Sequence, residues 1–299
     1  MTTKINENTN KIKTELERAD IILIVINTIL NIIALFIVLI FPLAYFSKSG
    51  FVLLLPIFIP IILTLLGFST EFQELIGTIT IPNQRNLYKE EKELLLPLVQ
   101  NVVNRINNNY NLNLNIDDYI FKVYVDHSIN AFALGNRNIY VSEGLLHGNL
   151  VSEEEMEAIL AHEFAHLIRK DTVFLSAVVS CNFVMRCIGY LCSMFMSTGR
   201  RRYGGKDDSF IIQLFIMIFY GIFVKLLSDG LFKLILSFKS RKEEYSCDAF
   251  SASLGYTEVL KGFFRKLERM EISSDVNLIK ILYSTHPKTS DRILALENL

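Results

Sequence analysis

Five consecutive residues near the middle of the chain combine metal-binding and proton-moving side chains: His162, Glu163, Phe164, Ala165 and His166. On a helix, the two histidines stand at i and i+4, one turn apart on one face. Their ring nitrogens can then meet a single zinc ion at about 2.0–2.1 Å. Glu163 sits beside the first histidine, where its carboxylate can reach an attacking water without ligating the ion. That is the arrangement of a zinc hydrolase with glutamate as general base. Between Ile159 and Ile168 the only charged residue is Glu163, as expected of a buried active-site helix.

Such an ion needs a third protein ligand and an open position. No third histidine follows at the spacing H-x-x-G-x-x-H, which disfavours an all-histidine site. The carboxylates lie far downstream, in the segment Ser240–Asp248. On a helix there, Glu244 and Asp248 share a face. Glu244 is the expected ligand, and Asp248 would accept a hydrogen bond from a ligand histidine and fix its tautomer. Glu243, Cys247 and Asp248 stand as alternative ligands, and the Cys247 thiolate is chemically suited to zinc.

The elements that must hold these residues can be read outward from the motif. Ser152 followed by Glu155 forms a capping box, and Glu153 and Glu154 suit the first turn of a helix. Arg169 and Lys170 suit its end. Upstream, Tyr119–Val125 reads as a strand. Asn130–Gly135 leads through Asn136, Arg137 and Asn138 into Ile139–Val141, the pattern of a β-hairpin, and Gly144 opens a short connection to the motif helix. Leu87–Asn108 has helical apolar spacing, with Pro97 as a potential kink, and Asn107–Asn115 reads as a loop.

Most of the apolar content lies elsewhere. Of 299 residues, 51% are hydrophobic and only 20% charged. Ile21–Ser47 and Ser49–Thr70 contain no charge, and each exceeds the roughly 18–20 residues needed to cross a bilayer. Lys48 and Gly50 mark a turn between them. A third block, Thr172–Gly199, is interrupted only by Arg186. A fourth, Ser209–Val224, continues past Lys225, Asp229 and Lys233. The reading is four transmembrane helices in two hairpins. No cleavable signal peptide is evident, because the first block is too long and no small-residue cleavage site follows it.

Lys and Arg near the helix ends number ten on the side of the large segments (Lys4, Lys11, Lys13, Arg18, Arg85, Arg169, Lys170, Lys239, Arg241 and Lys242). They number five on the short turns (Lys48, Arg200, Arg201, Arg202 and Lys206). The excess places both termini and the site in the cytoplasm, against the pull of the Arg200–Arg202 cluster. Lys+Arg (30) and Asp+Glu (31) balance, which excludes a nucleic-acid partner. Cys181, Cys187, Cys192 and Cys247 have no disulfide spacing.

Taken together, the chain resembles the HtpX family of membrane-integrated zinc metalloproteases, related to the CaaX prenyl proteases. The resemblance rests on several features in order. They are the N-terminal hairpin, Asn130–Gly135, the motif His162–His166, the second hairpin, the run Ser240, Arg241, Glu244, Tyr245 and Asp248, then Thr285, His286 and Pro287 with Arg292. Cys247 departs from it, since a small apolar residue is usual there.

The resemblance implies a zincin-like (gluzincin) α+β domain with a small sheet, mainly α overall. It implies one zinc per chain at His162, His166 and Glu244, with Glu163 as base. It further implies an edge strand at Asn130–Gly135 beside the cleft, a contribution from His286 and Arg292 to transition-state stabilisation or site organisation, and a role in membrane-protein quality control at the cell membrane.

The expected organisation is a cytosolic tail at 1–20, a hairpin at 21–70, protease segments at 71–171 and 239–299, and a second hairpin at 172–238. The expected partners are polypeptide substrates, foremost membrane proteins, and the lipid bilayer. A dedicated processing protease for a lipidated or signalling peptide and a non-catalytic zinc scaffold are the competing readings. Glu163 argues against the scaffold, because a structural zinc needs no base. A transporter is disfavoured for want of an inverted repeat.

Overall fold

The computed structural model of the chain describes residues 16–46, 54–81, 83–199, 243–273 and 287–299. The Lys48–Gly50 turn, the fourth apolar block and His286 lie outside the described residues. The chain is mostly helical with one small mixed sheet, and it divides into two compact units.

The first unit takes in Glu17–Phe72 and Phe174–Phe238. Its helices are α1 (Arg18–Phe46), α2 (Leu55–Leu66) and most of α7 (Asp171–Gly199). Among the described residues, two stretches are long and apolar enough to cross a membrane, Arg18–Phe36 and Asp171–Ile188. Along α1, Ile21, Ile22, Val25, Ile26, Ile29 and Ile33 are exposed while Ile24 and Leu35 are buried. This exposed apolar face is suited to lipid, while the buried face carries Asn27 and Asn31.

The second apolar block takes a form the sequence pattern did not suggest. Its helix α2 has 12 residues, about 18 Å of length at 1.5 Å per residue. It ends at Gly67, and the chain bends by 97° into α3 (Thr70–Thr80). Gly67 permits a close approach, because a Cβ there would fall 2.6 Å from the Cα of Ala177. Buried amides join α1 to α7: Asn31 Nδ2 donates to Asn182 Oδ1 at 3.0 Å, and Asn182 Nδ2 to Asn27 Oδ1 at 3.1 Å. Such bonds fix which helix faces meet where hydrophobic burial cannot discriminate.

The second unit's described residues fall within 73–173, 243–273 and 287–299. Its sheet contains β1 (Gln84–Asn86), β2 (Ile120–Tyr124), β3 (Ala131–Leu134) and β4 (Asn138–Ser142) in the order β1-β2-β4-β3. The expected hairpin is present, with Ala133 opposite Ile139 and Leu134 opposite Asn138. Its turn passes through Gly135 at φ +67°, where a Cβ would lie 2.5 Å from Gln73 Oε1. The parallel pairing of β2 with β4 and the three-residue β1 were not anticipated. The connection at Gly144 is a short helix, α5 (Glu143–His147).

Helix α4 (Lys89–Tyr110) runs unbroken through Pro97. The carbonyl that Pro97 leaves without an amide donor belongs to Glu93, whose side chain is on the solvent side, where water can serve it. Helix α6 (Glu153–Ile168) starts at the anticipated Ser152–Glu155 capping box. It packs against α4, β3 and the later helix α9 (Thr257–Ser273). Leu160 and Phe164 are fully buried, each contributing about 1.5–3 kcal/mol of apolar burial. Residues 243–251 form α8, and α10 (Thr289–Glu297) packs on α9.

Candidate metal centre

Helix α6 is packed on several sides, so its histidine face is not a solvent face. His162 and Glu163 are each 5% exposed. Helix α8 brings Glu244 to that face. His162 Nε2 lies 3.3 Å from Glu244 Oε2, and His166 Nε2 lies 3.5 Å from Glu244 Oε1. Three donors bonded to one ion at about 2.0–2.1 Å in tetrahedral directions are separated by about 3.3–3.4 Å. One donor atom from each of His162, His166 and Glu244 lies within 4.8 Å of the others. His162 Nε2 is buried and makes no hydrogen bond among the described residues. A buried nitrogen in that state is costly unless something binds it, and the donor set fits zinc.

The other nitrogen of His162 is held. Its Nδ1 is 2.9 Å from Asp248 Oδ1. Asp248 is gripped in turn by Arg292 on α10, through Nε at 2.7 Å and Nη2 at 2.5 Å. The Arg292 guanidinium stacks 4.3 Å from the centre of the Phe264 ring and is 3.8 Å from Glu244 Oε2. Burial opposes charge on His162, but the carboxylates of Asp248 and Glu244 outweigh it and raise its pKa to about 10. Burial likewise opposes charge on Asp248, yet Arg292 and His162 hold it below the usual carboxylate range. The His162 shift describes a carboxylate-lined pocket that favours a cation, and the Asp248 shift describes the grip of Arg292 on that carboxylate.

The alternative ligands separate by which nitrogen they meet. Cys247 Sγ is 3.4 Å from His166 Nδ1, the nitrogen turned away from Glu244. Asp248 meets His162 Nδ1, also the far nitrogen. Glu243 is half-buried and belongs to neither candidate donor group among the described residues. Glu244 alone of the four faces both Nε2 atoms.

Glu163 is placed by the sheet. The Ala133 amide, on edge strand β3, donates to Glu163 Oε2 at 2.7 Å. Asn130 lies just before β3, where its amide donates to Ser142 Oγ and its carbonyl accepts from Ser142 N. Among the described residues Asn130 meets Ser142 rather than the histidines, so its contribution is to the hairpin that positions Ala133. Two features escaped the sequence reading. One is the Ala133 amide, since a backbone donor has no residue-type signature. The other is Asp171, whose Oδ2 lies 3.4 Å from His166 Nδ1 and accepts from Arg169 Nε at 3.0 Å.

Residues 96–299, more than half of the chain and including every donor above, match the model for peptidase family M48. The chain belongs to peptidase family M48. Among curated relatives, it is similar to "Protease HtpX" of Stenotrophomonas maltophilia strain R551-3, with 31% identity over 198 residues. That alignment covers 58% of this chain and 64% of the relative. It is also similar to "Protease HtpX homolog" of Caldanaerobacter subterraneus subsp. tengcongensis, with 27% identity over 201 residues, 60% of this chain and 66% of the relative. A third, "Protease HtpX homolog" of Streptococcus uberis, is 27% identical over 205 residues, 60% of this chain and 67% of the relative. The chain thus spans about two thirds of the length of the curated relatives it matches.

Proposed function

We propose that this M48 member is a membrane-integrated zinc endopeptidase. His162, His166 and Glu244 hold the metal, and Glu163 is the general base. The convergence of both Nε2 atoms on Glu244, with Glu163 held beside them by Ala133, carries this reading. Bound zinc supplies Lewis acidity toward a peptide carbonyl and toward water. The chain supplies the proton handling. Ala133 N–H anchors Glu163 Oε2, which leaves Oε1 to accept a proton from the attacking water and return it to the leaving amine. The Asp248–Arg292 pair keeps the His162 tautomer fixed, so Arg292 organises the centre. Among the described residues β3 is the edge strand of the sheet, a position that suits an extended peptide backbone added as a further strand.

The substrates in this reading are polypeptides, foremost damaged membrane proteins, cleaved on the cytoplasmic side. The names of the relatives, the apolar helices and the Lys/Arg distribution support it. Four spans, arranged as two hairpins around the segmented protease domain, remain the proposed topology.

The test is zinc analysis and casein cleavage by the full chain in detergent, with and without chelator. Zinc near one per chain and chelator-sensitive cleavage are expected. Glu163→Gln is expected to keep the metal and lose cleavage, and full activity in that variant refutes the mechanism. For orientation, a cysteine introduced at Asn109 should stay unlabelled by an impermeant thiol reagent on intact cells. Labelling from outside would reverse the topology.

A further inference from the structure

Each histidine turns one nitrogen toward Glu244, so the opposite nitrogen of each ring decides its tautomer. For His162 that partner is Asp248. For His166, Nδ1 faces two groups at the same distance, Asp171 Oδ2 and Cys247 Sγ, both at 3.4 Å. A carboxylate is a far stronger acceptor than a thiol. The Asp171 side chain is 5% exposed, and Arg169 Nε holds the same oxygen at 3.0 Å.

The backbone is shaped to deliver it. In an uninterrupted helix, a residue five positions after His166 would sit about 140° around the axis and about 7.5 Å along it. Instead α6 ends at Ile168, Lys170 adopts φ +59°, and α7 begins at Asp171. A lysine in the left-handed region carries a cost of order 1 kcal/mol or more, and here it turns the carboxylate back to the histidine it has just passed. His166, Asp171 and Cys247 could be taken for a second metal group. The Arg169 guanidinium on the same Asp171 oxygen opposes a second cation there.

We propose that Asp171 is a positioning residue for the metal centre: it accepts the His166 Nδ1 proton and so directs the Nε2 lone pair into the site. Arg169 fixes the carboxylate, and the Cys247 contact is dispensable. The centre then has two matching braces, Asp248 with Arg292 behind His162 and Asp171 with Arg169 behind His166. The inference rests on the zinc site proposed above.

The experiment measures zinc affinity of the full chain in detergent by chelator competition, together with the visible spectrum of the cobalt-substituted protein. Asp171→Asn keeps the side-chain size but can present an amide donor to Nδ1. It is expected to weaken zinc binding by about 10–100-fold and to shift the cobalt bands. Cys247→Ala is expected to bind zinc within about twofold of wild type, the spread of an uncoupled change. If Asp171→Asn does not fold, Arg169→Gln serves in its place, with a loss of at least about threefold expected as the carboxylate loses its anchor. Wild-type affinity and spectrum in the folded Asp171 variant, or in its Arg169 substitute, overturn the inference, as does a loss confined to Cys247→Ala. If the wild type binds no zinc, the zinc reading itself fails, which is a different result.

Discussion

Removing Asp248 tests how the centre is held. Asp248→Ala deletes two charge-assisted bonds to Arg292 and one to His162 Nδ1. It leaves a guanidinium whose side chain is only 12% exposed. Breaking a buried ion pair by removing one member typically costs about 3–5 kcal/mol. Arg292 keeps Glu244 at 3.8 Å and the Phe264 ring as residual partners, so the low end, about 3 kcal/mol, is expected. For a unit of this size, each kcal/mol lowers Tm by about 2–4 °C, so the metal-free variant should melt about 6–12 °C below wild type.

Calorimetry of the full chain in detergent, scored on the metal-sensitive transition, reads that shift. Asp248→Ala with Arg292→Ala removes both charges. Its cost should fall short of the summed single costs by about 1.5 kcal/mol or more. A shift below about 2 °C, or strict additivity in the double variant, would refute the account of Asp248 as the anchor of a buried pair.

Other outcomes follow from the same geometry. Glu244→Ala should reduce bound zinc to a small fraction of wild type by metal analysis, and unchanged stoichiometry would return Glu243, Cys247 or Asp248 to contention. Gly135→Ala combines a left-handed residue with a 2.5 Å clash against Gln73 Oε1 and should cost about 2–4 kcal/mol in thermal melts. In the cluster at the start of α4, Arg85 holds the Glu91 pKa down from 4.5 to about 2. A depressed carboxylate stabilises the fold above its unfolded value, so that contribution should fade as pH drops from 4.5 toward 2. A shift of this size sets a ceiling of about 3 kcal/mol, and screening around the partly exposed Arg85 and His147, whose Nε2 lies 2.8 Å from Glu91 Oε1, reduces the expected value to about 1 kcal/mol. Glu91→Gln should flatten that part of the melting-temperature profile.

The sequence was informative where local chemistry is self-contained. Ser152 and Glu155 cap α6 because both partners lie within four residues. The β3–β4 hairpin follows from Asn and Gly at a turn. It was uninformative where the deciding partner is distant or backbone-borne. The three polar residues of β1 carry no alternation, and β2 joins β4 in parallel only through tertiary packing. Hydropathy registers that Ser49–Thr70 is apolar but not that Gly67 lets the chain turn sharply. The choice between Glu244 and Cys247 depends on which imidazole nitrogen each meets, and spacing cannot supply that. Asp171 reaches His166 through a left-handed Lys170, a conformation lysine gives no reason to expect.

One arrangement bears on when the molecule can act. His162 and Arg292, joined through Asp248, are separated by 130 residues. The ribosome therefore delivers the histidines and Glu163 well before Glu244, and Arg292 later still. An elongating chain carries the histidine motif but has neither Glu244, the proposed third ligand, nor the clamp behind it. On the proposed assignment, hydrolysis would be deferred until the helices bearing Glu244 and Arg292 have been made and docked. Nascent chains and fragments ending before Glu244 would be inert toward themselves and their neighbours, a form of timing that needs no inhibitor or pro-segment.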